Sequence, residues 1–220
     1  EIILVTSGAI GVGVGKLGLP ARPQETGKRQ AAAAVGQCEL MFMYDKFFGE
    51  YGLTVAQVLL TADVLADERS RRNTENTFME LLKMGVVPVV NENDTVAVEE
   101  LEGARIGDND TLSAIVARLI GADLLVILTD IDGLYDGSPR ADPDAKRIPF
   151  VREVTPQVLA LAGGSGSNRG TGGMSAKVRA AASANAAGIA CCVMSGAVPE
   201  KLYDLFDGAQ IGTIFGNGKG

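Results

Sequence analysis

The sequence predicts an α/β protein with a mainly parallel sheet covered by helices on both faces. Three observations lead there. Strand-length apolar runs alternate with helix-length periodic segments along the whole chain. Most of those runs, including 86–90, 124–128 and 190–194, are apolar throughout rather than alternating, as strands buried on both sides are. Polar or glycine-rich residues follow the run ends, at Ser7-Gly8, Asn91-Glu92-Asn93-Asp94, Thr129-Asp130 and Ser195-Gly196, where open parallel sheets bind ligands. A chain of 220 residues, 46% hydrophobic and without a compositional break to mark a linker, reads as one domain with a substantial core.

The elements follow in order. Residues 1–7 form an apolar strand that starts with no preceding turn, so a further element upstream of Glu1 is expected. Ser7-Gly8-Ala9-Ile10-Gly11 reads as a small-residue turn and 20–27 as a loop. Residues 28–49 form a long helix, with Ala31, Ala34, Cys38, Met41 and Phe42 at three- and four-residue spacing. A short strand at 54–60 precedes a helix at 63–84, with Asp63 and Asp67 near its start and Lys83-Met84-Gly85 as its stop. After the strand at 86–90, residues 95–106 alternate as a hairpin would. A helix at 109–119 ends before Gly121, and a buried strand at 124–128 leads into a polar loop region at 132–149. Residues 155–162 form a short helix with Pro156 in its first turn. A glycine-rich loop at 163–173 feeds a helix at 174–187. A strand at 190–194, a helix at 199–206 and a strand at 213–215 complete the chain.

Composition excludes several kinds of chemistry. There is no histidine, so Ser–His and Cys–His nucleophile pairs, His-ligated metals and imidazole bases are ruled out. A net charge of −7 argues against a nucleic-acid partner. No apolar stretch reaches the ~20 residues that span a bilayer, so no membrane partner is expected. The three cysteines, Cys38, Cys191 and Cys192, form neither a CxxC pair nor a disulfide framework. Cys191 and Cys192 sit in an apolar run and read as buried and reduced, which suggests the cytoplasm.

Four segments carry candidate chemistry. Gly13-Val14-Gly15-Lys16-Leu17-Gly18 matches GxGxxG, but its glycines come too late after the strand for a dinucleotide fingerprint, and close packing of small residues is the better reading. The run from Ser165 through Gly170-Thr171-Gly172-Gly173-Met174 to Lys177 is the strongest signal. Its loop exposes backbone N–H groups and opens a helix, where phosphate is stabilised, and Lys177 brings a charge one turn in. It is not a Walker A sequence, and a mobile surface loop is the alternative. Gly107-Asp108-Asn109-Asp110 opens a helix; one acid would suffice as a cap, and two acids with an Asn suggest orienting a lysine or holding Mg²⁺ waters. Asn91-Glu92-Asn93-Asp94 ends a buried strand, a costly place for acids without partners, and a solvated turn is the alternative reading.

Taken together and in this order, these motifs resemble the amino acid kinase family along nearly the whole chain. The likeness rests on Val5-Thr6-Ser7-Gly8-Ala9, the Asn-Glu-Asn-Asp and Gly-Asp-Asn-Asp pair, Leu128-Thr129-Asp130 with Gly133-Leu134-Tyr135, and Gly170-Thr171-Gly172-Gly173-Met174 with Lys177. The two acidic motifs set it apart from the N-acetylglutamate, UMP, aspartate and carbamate kinases. The resemblance implies a three-layer α/β/α sandwich with a mainly parallel central sheet. It implies ATP-dependent phosphorylation of the γ-carboxylate of L-glutamate to L-glutamyl 5-phosphate, the first step of proline biosynthesis. By the same resemblance Ser7, Gly8, Ala9, Asn91, Asp94 and Asn109 bind glutamate. Thr129, Asp130, Tyr135, Thr171, Gly172, Gly173, Met174 and Lys177 bind the nucleotide, while Lys177 and Asp110 are catalytic, the acid organising the lysine. ATP and Mg²⁺ are implied, with no direct protein ligand to the metal. Proline as feedback inhibitor, a homodimer or homotetramer, and channelling to glutamyl phosphate reductase are implied as well.

The family also has a first strand and a lysine-containing glycine turn, and often a C-terminal RNA-binding-like (PUA) domain. Residues 1–220 resemble the kinase domain without these parts, so weak or no activity is the expectation for this stretch. The alternative is a non-catalytic module that binds glutamate, proline or nucleotide. The chemistry suits a chain without histidine. A glutamate carboxylate, with a reference pKa of about 4.3, is already ionised at neutral pH and needs no base. It needs charge neutralisation, because two like charges about 4 Å apart repel by roughly 4 kcal/mol at an effective dielectric of about 20.

Overall fold

The computed structural model describes residues 1–96, 108–139, 142–163 and 173–216. They fall into two compact units, Glu1–Asn109 and Asp110–Gly220. The expected hairpin at 95–106 and most of the glycine-rich loop at 163–173, including Thr171 and Gly172, lie outside the described residues.

The first unit contains β1 (Leu4–Val5), α1 (Ala9–Lys16), α2 (Thr26–Gly49), β2 (Val55–Leu60), α3 (Ala62–Ala66), α4 (Glu68–Lys83) and β3 (Val87–Glu92). Its strands form an all-parallel sheet in the order β1-β3-β2, with Val5 opposite Val90 and Leu60 opposite Glu92. β3 is the middle strand, and Val89 and Val90 are fully buried in it. That uniform burial is why the run shows no alternation.

Three sequence expectations are corrected here. The small-residue stretch after β1 is not a turn but α1, whose N-cap Gly8 is left-handed at φ 98°. Glycine content lowers intrinsic helix propensity, and tertiary packing overrides it. A Cβ on Gly13 would overlap the Ala32 carbonyl, and one on Gly36 would overlap that of Ala9, so the backbones of α1 and α2 are in direct contact. The same contact selects the buried face of α2. Ala32, Ala33, Gly36, Gln37 and Leu40 face inward, whereas Ala31, Ala34, Cys38 and Phe42 of the expected face are exposed. The inward face is the one that carries Gly36, because only a residue without a Cβ lets the two helix backbones touch. Finally, the helix expected at 63–84 is two helices. Asp67 interrupts it and caps α4, its Oδ2 accepting the Ser70 N–H at 2.7 Å.

The second unit takes up α5 (Asn109–Ile120) from Asp110 onward, then β4 (Leu124–Thr129), β5 (Phe150–Val151), α6 (Pro156–Ala162), α7 (Met174–Asn185), β6 (Ala190–Ser195), α8 (Lys201–Phe206) and β7 (Thr213–Phe215). Its sheet runs β4-β6-β7-β5, with β4–β6 and β5–β7 parallel and β6–β7 antiparallel. β5 is an element the sequence reading missed; two residues are too few to carry a period. The core joins Ala180, Ala181 and Ala184 of α7 to Cys191 and Val193 of β6 and to Phe215 of β7. Alanines let α7 lie close on the sheet and position its first turn. Cys191 and Cys192 are buried, and burial pushes the Cys192 thiol up to about 11 and the Cys191 thiol higher.

Candidate functional site

Two constellations emerge, one in each unit. In the first unit β1, β3 and the start of α5 bring together a chain of amides. Asn91 is buried; its Nδ2 donates to Gln37 Oε1 at 2.9 Å, and its Oδ1 accepts the Glu92 N–H at 2.9 Å. Asn109 Nδ2 donates to the Thr6 carbonyl and, at 3.2 Å, to Asn91 Oδ1. The Thr6 and Tyr44 hydroxyls are hydrogen bonded at 2.8 Å. Each amide orientation is thereby set by its neighbour. With both Nδ2 hydrogens of Asn109 engaged, its Oδ1 is the acceptor that remains to be offered, and an acceptor suits an ammonium group. Ser7 and Gly8 are exposed just beyond β1, and Ala9 opens α1.

Asp94 follows β3 and is half-buried. Burial pushes its carboxyl above the usual carboxylate range, and the positive charges of Arg22 and Arg29 oppose that rise. Gln37 and Tyr44 were not singled out in the sequence. The available signal was Gln37, a glutamine among alanines on a helix: a polar residue on a packed face needs a partner.

In the second unit Lys177, on the first turns of α7, meets Asp110, on the first turn of α5. Lys177 Nζ lies 3.0 Å from Asp110 Oδ2, with both side chains mostly out of water. Gly173 is the extended N-cap of α7, and Met174 packs against the core. Thr129 ends β4, and its hydroxyl donates to Asp130 Oδ1 at 3.1 Å. Asp130 is exposed. The Tyr135 hydroxyl donates to Asp132 Oδ1 at 2.9 Å. That bond holds the phenol above its ordinary pKa, helped by slight desolvation and the Asp132 charge. Gly13, of the GxGxxG stretch, lies within α1 against α2, in keeping with close packing rather than a phosphate loop.

Among the described residues no group of three or more Asp, Glu, His or Cys side chains could hold a metal ion, and no helix is long and apolar enough to cross a membrane.

Comparison with known proteins extends the picture. A protein named Glutamate 5-kinase from Clostridium perfringens is 53% identical over 221 residues, covering 100% of this chain and 82% of the relative. One of the same name from Listeria welshimeri is 54% identical over 220 residues, covering 100% and 80%. Among solved structures, carbamate kinase from Giardia lamblia bound to AMP-PNP superposes with a TM-score of 0.65 at 16% identity, covering 99% of this chain and 84% of that one. At that identity the likeness speaks for the fold. The family model described as the Amino acid kinase family matches residues 1–195, and so takes in the whole first unit and the second as far as Ser195. With the mainly parallel sheets and relatives matched along the whole of this chain, that match establishes that the chain belongs to the amino acid kinase family.

Proposed function

We propose that this chain catalyses transfer of the ATP γ-phosphoryl group to the side-chain carboxylate of L-glutamate, forming L-glutamyl 5-phosphate for proline biosynthesis. The observation that carries this is identity at about half of all positions, along the entire chain, to proteins named Glutamate 5-kinase. A non-catalytic binding module is not favoured by that relationship. The family match across both units supports reading them as parts of one kinase domain.

On this reading Asn109 and Asp94 receive the α-ammonium group of glutamate, with Asn91 holding Asn109 in register. Ser7, Gly8 and Ala9 offer a hydroxyl and backbone donors to the acceptor's oxygens. A glutamate carboxylate oxygen attacks the γ-phosphorus, the bond to the β-γ bridging oxygen breaks, and ADP leaves with that electron pair. No proton is moved. Lys177 stabilises negative charge on the transferred oxygens, and Asp110 holds the ammonium in place. Thr129, Asp130, Tyr135 and the Thr171-Gly172-Gly173-Met174 segment bind the nucleotide.

A Mg²⁺ ion would come to this site as a companion of the ATP phosphates, because Mg²⁺ commonly keeps several waters and takes few ligands from protein. When bound it would supply further neutralisation of the phosphates. The same reading includes proline as inhibitor at the glutamate pocket, self-association as a dimer or tetramer, and delivery of the labile product to glutamyl phosphate reductase.

The direct test is hydroxylamine trapping. Glutamate- and ATP·Mg-dependent formation of γ-glutamyl hydroxamate, absent with aspartate or N-acetylglutamate, is the expected result. Nucleotide and glutamate binding without hydroxamate would instead favour the binding module.

A further inference from the structure

The loop after β4 is fastened by a residue the family motifs do not mark. Residues 134–136 and 146–148 lie antiparallel: the Asp136 N–H donates to the Lys146 carbonyl at 3.0 Å and the Ile148 N–H to the Leu134 carbonyl at 2.7 Å, with Tyr135 paired to Arg147. Below them, the buried Thr213 hydroxyl accepts the Leu134 N–H at 2.8 Å and donates to the Ile148 carbonyl at 2.6 Å. Gly133 makes room for this. At φ 151°, a Cβ there would sit 2.6 Å from Thr213 Oγ1.

Arg147 completes the arrangement. Its Nη1 donates to the Gly212 carbonyl, just before β7, and its Nε lies 3.7 Å from Asp132 Oδ2. The other oxygen of the same carboxylate receives the Tyr135 hydroxyl. The guanidinium therefore ties the Asp132 carboxylate, and through it the tyrosine, to the end of the sheet. A lysine cannot span both acceptors in one plane.

We infer that Arg147 is a positioning residue for the nucleotide: acting through Asp132, it fixes Tyr135 in the orientation that nucleotide binding requires. This rests on the reading of Tyr135 as a nucleotide contact. The backbone of Leu134 and Ile148 is held independently by Thr213, so loss of Arg147 frees the side chains of Asp132 and Tyr135 without releasing the loop.

The test compares wild type with Arg147→Met, Arg147→Lys and Tyr135→Ala. It measures KM for ATP·Mg, Kd for ADP by calorimetry, KM for glutamate, kcat and Tm. In Arg147→Met, KM for ATP and Kd for ADP should rise about tenfold while glutamate KM and kcat stay within about twofold, and Arg147→Lys should recover part of the loss. Nucleotide constants unchanged in Arg147→Met but raised in Tyr135→Ala would overturn the positioning role alone. Constants unchanged in both would overturn the nucleotide reading of the loop with it. A fall in Tm and kcat with both KM values moving together would mark Arg147 as merely structural. If Arg147→Met does not fold, Arg147→Lys decides by the same readings.

Discussion

Lys177 Nζ and Asp110 Oδ2 are 3.0 Å apart, joining the first turns of α7 and α5, with the side chains only 11% and 15% exposed. A pair this sheltered is costly to break from one side, because the remaining charge keeps its desolvation penalty. Lys177→Met should therefore lose on the order of 10²–10³ in kcat, as removal of one charge-stabilising donor does. It should also destabilise the fold by about 3 kcal/mol. The double variant Lys177→Met with Asp110→Asn should regain stability in urea unfolding and regain no activity. Recovery of activity would show that the pair serves the fold alone.

Asp94 should trade stability for binding. Its folded-state pKa is raised by burial, so the folded protein holds that proton more tightly than the unfolded chain. The ionised carboxylate thus costs stability at neutral pH, and the cost fades as pH falls through the raised folded value toward the ordinary carboxylate value of 3.8. Asp94→Asn should raise Tm at pH 7, with the gain shrinking in acid. It should also raise glutamate KM by about tenfold or more with little change for ATP. Equal effects on the two substrates would make Asp94 structural.

Gln37 should matter to glutamate from a distance. Gln37→Leu removes the acceptor that orients the Asn91 amide, and Asn91 in turn orients Asn109. Glutamate KM should rise about fivefold to tenfold with ATP KM unchanged, and Gln37→Glu, which keeps the acceptor, should be milder. Steady-state kinetics with each substrate varied separates these outcomes.

The α1–α2 contact should tolerate no added carbon. Gly36→Ala drives a methyl group into the Ala9 carbonyl and Gly13→Ala into that of Ala32. Each should cost about 3 kcal/mol by overpacking, read from urea midpoints. Gly11→Ala, on the same helix but with open space at its Cβ, is the control and should be neutral or slightly stabilising.

Thiol titration checks the cysteine environment. Cys38 is exposed, whereas Cys191 and Cys192 are buried with their thiols held protonated. A thiol reagent should label Cys38 rapidly in the native protein and reach the other two only on denaturation. Rapid native labelling of Cys191 or Cys192 would mean that β6 opens far more readily than its burial implies.

Strands buried on both faces were legible in the sequence because uniform apolarity is itself their signature, as in Val87–Glu92 and Ala190–Ser195. The helix starts at Thr155-Pro156 and Asn109 were legible from capping chemistry. What failed were elements shaped by distant partners. α1 exists because Gly13 can touch the backbone of α2, and the buried face of α2 is the one that carries Gly36 rather than the one the apolar spacing picks out.

The candidate site divides in the same way. The sequence by itself determined which residue types were present: carboxylates and asparagines after one strand, a lysine behind a glycine loop, and no histidine to act as a base. Tertiary structure alone decided their partners. Lys177 and Asp110 are 67 positions apart, Gln37 and Asn91 are 54 apart, and Arg147 meets Gly212 across 65. Local pattern reports a residue's own helix or strand, whereas such pairings depend on how separate elements pack, and that is settled only when the whole core closes.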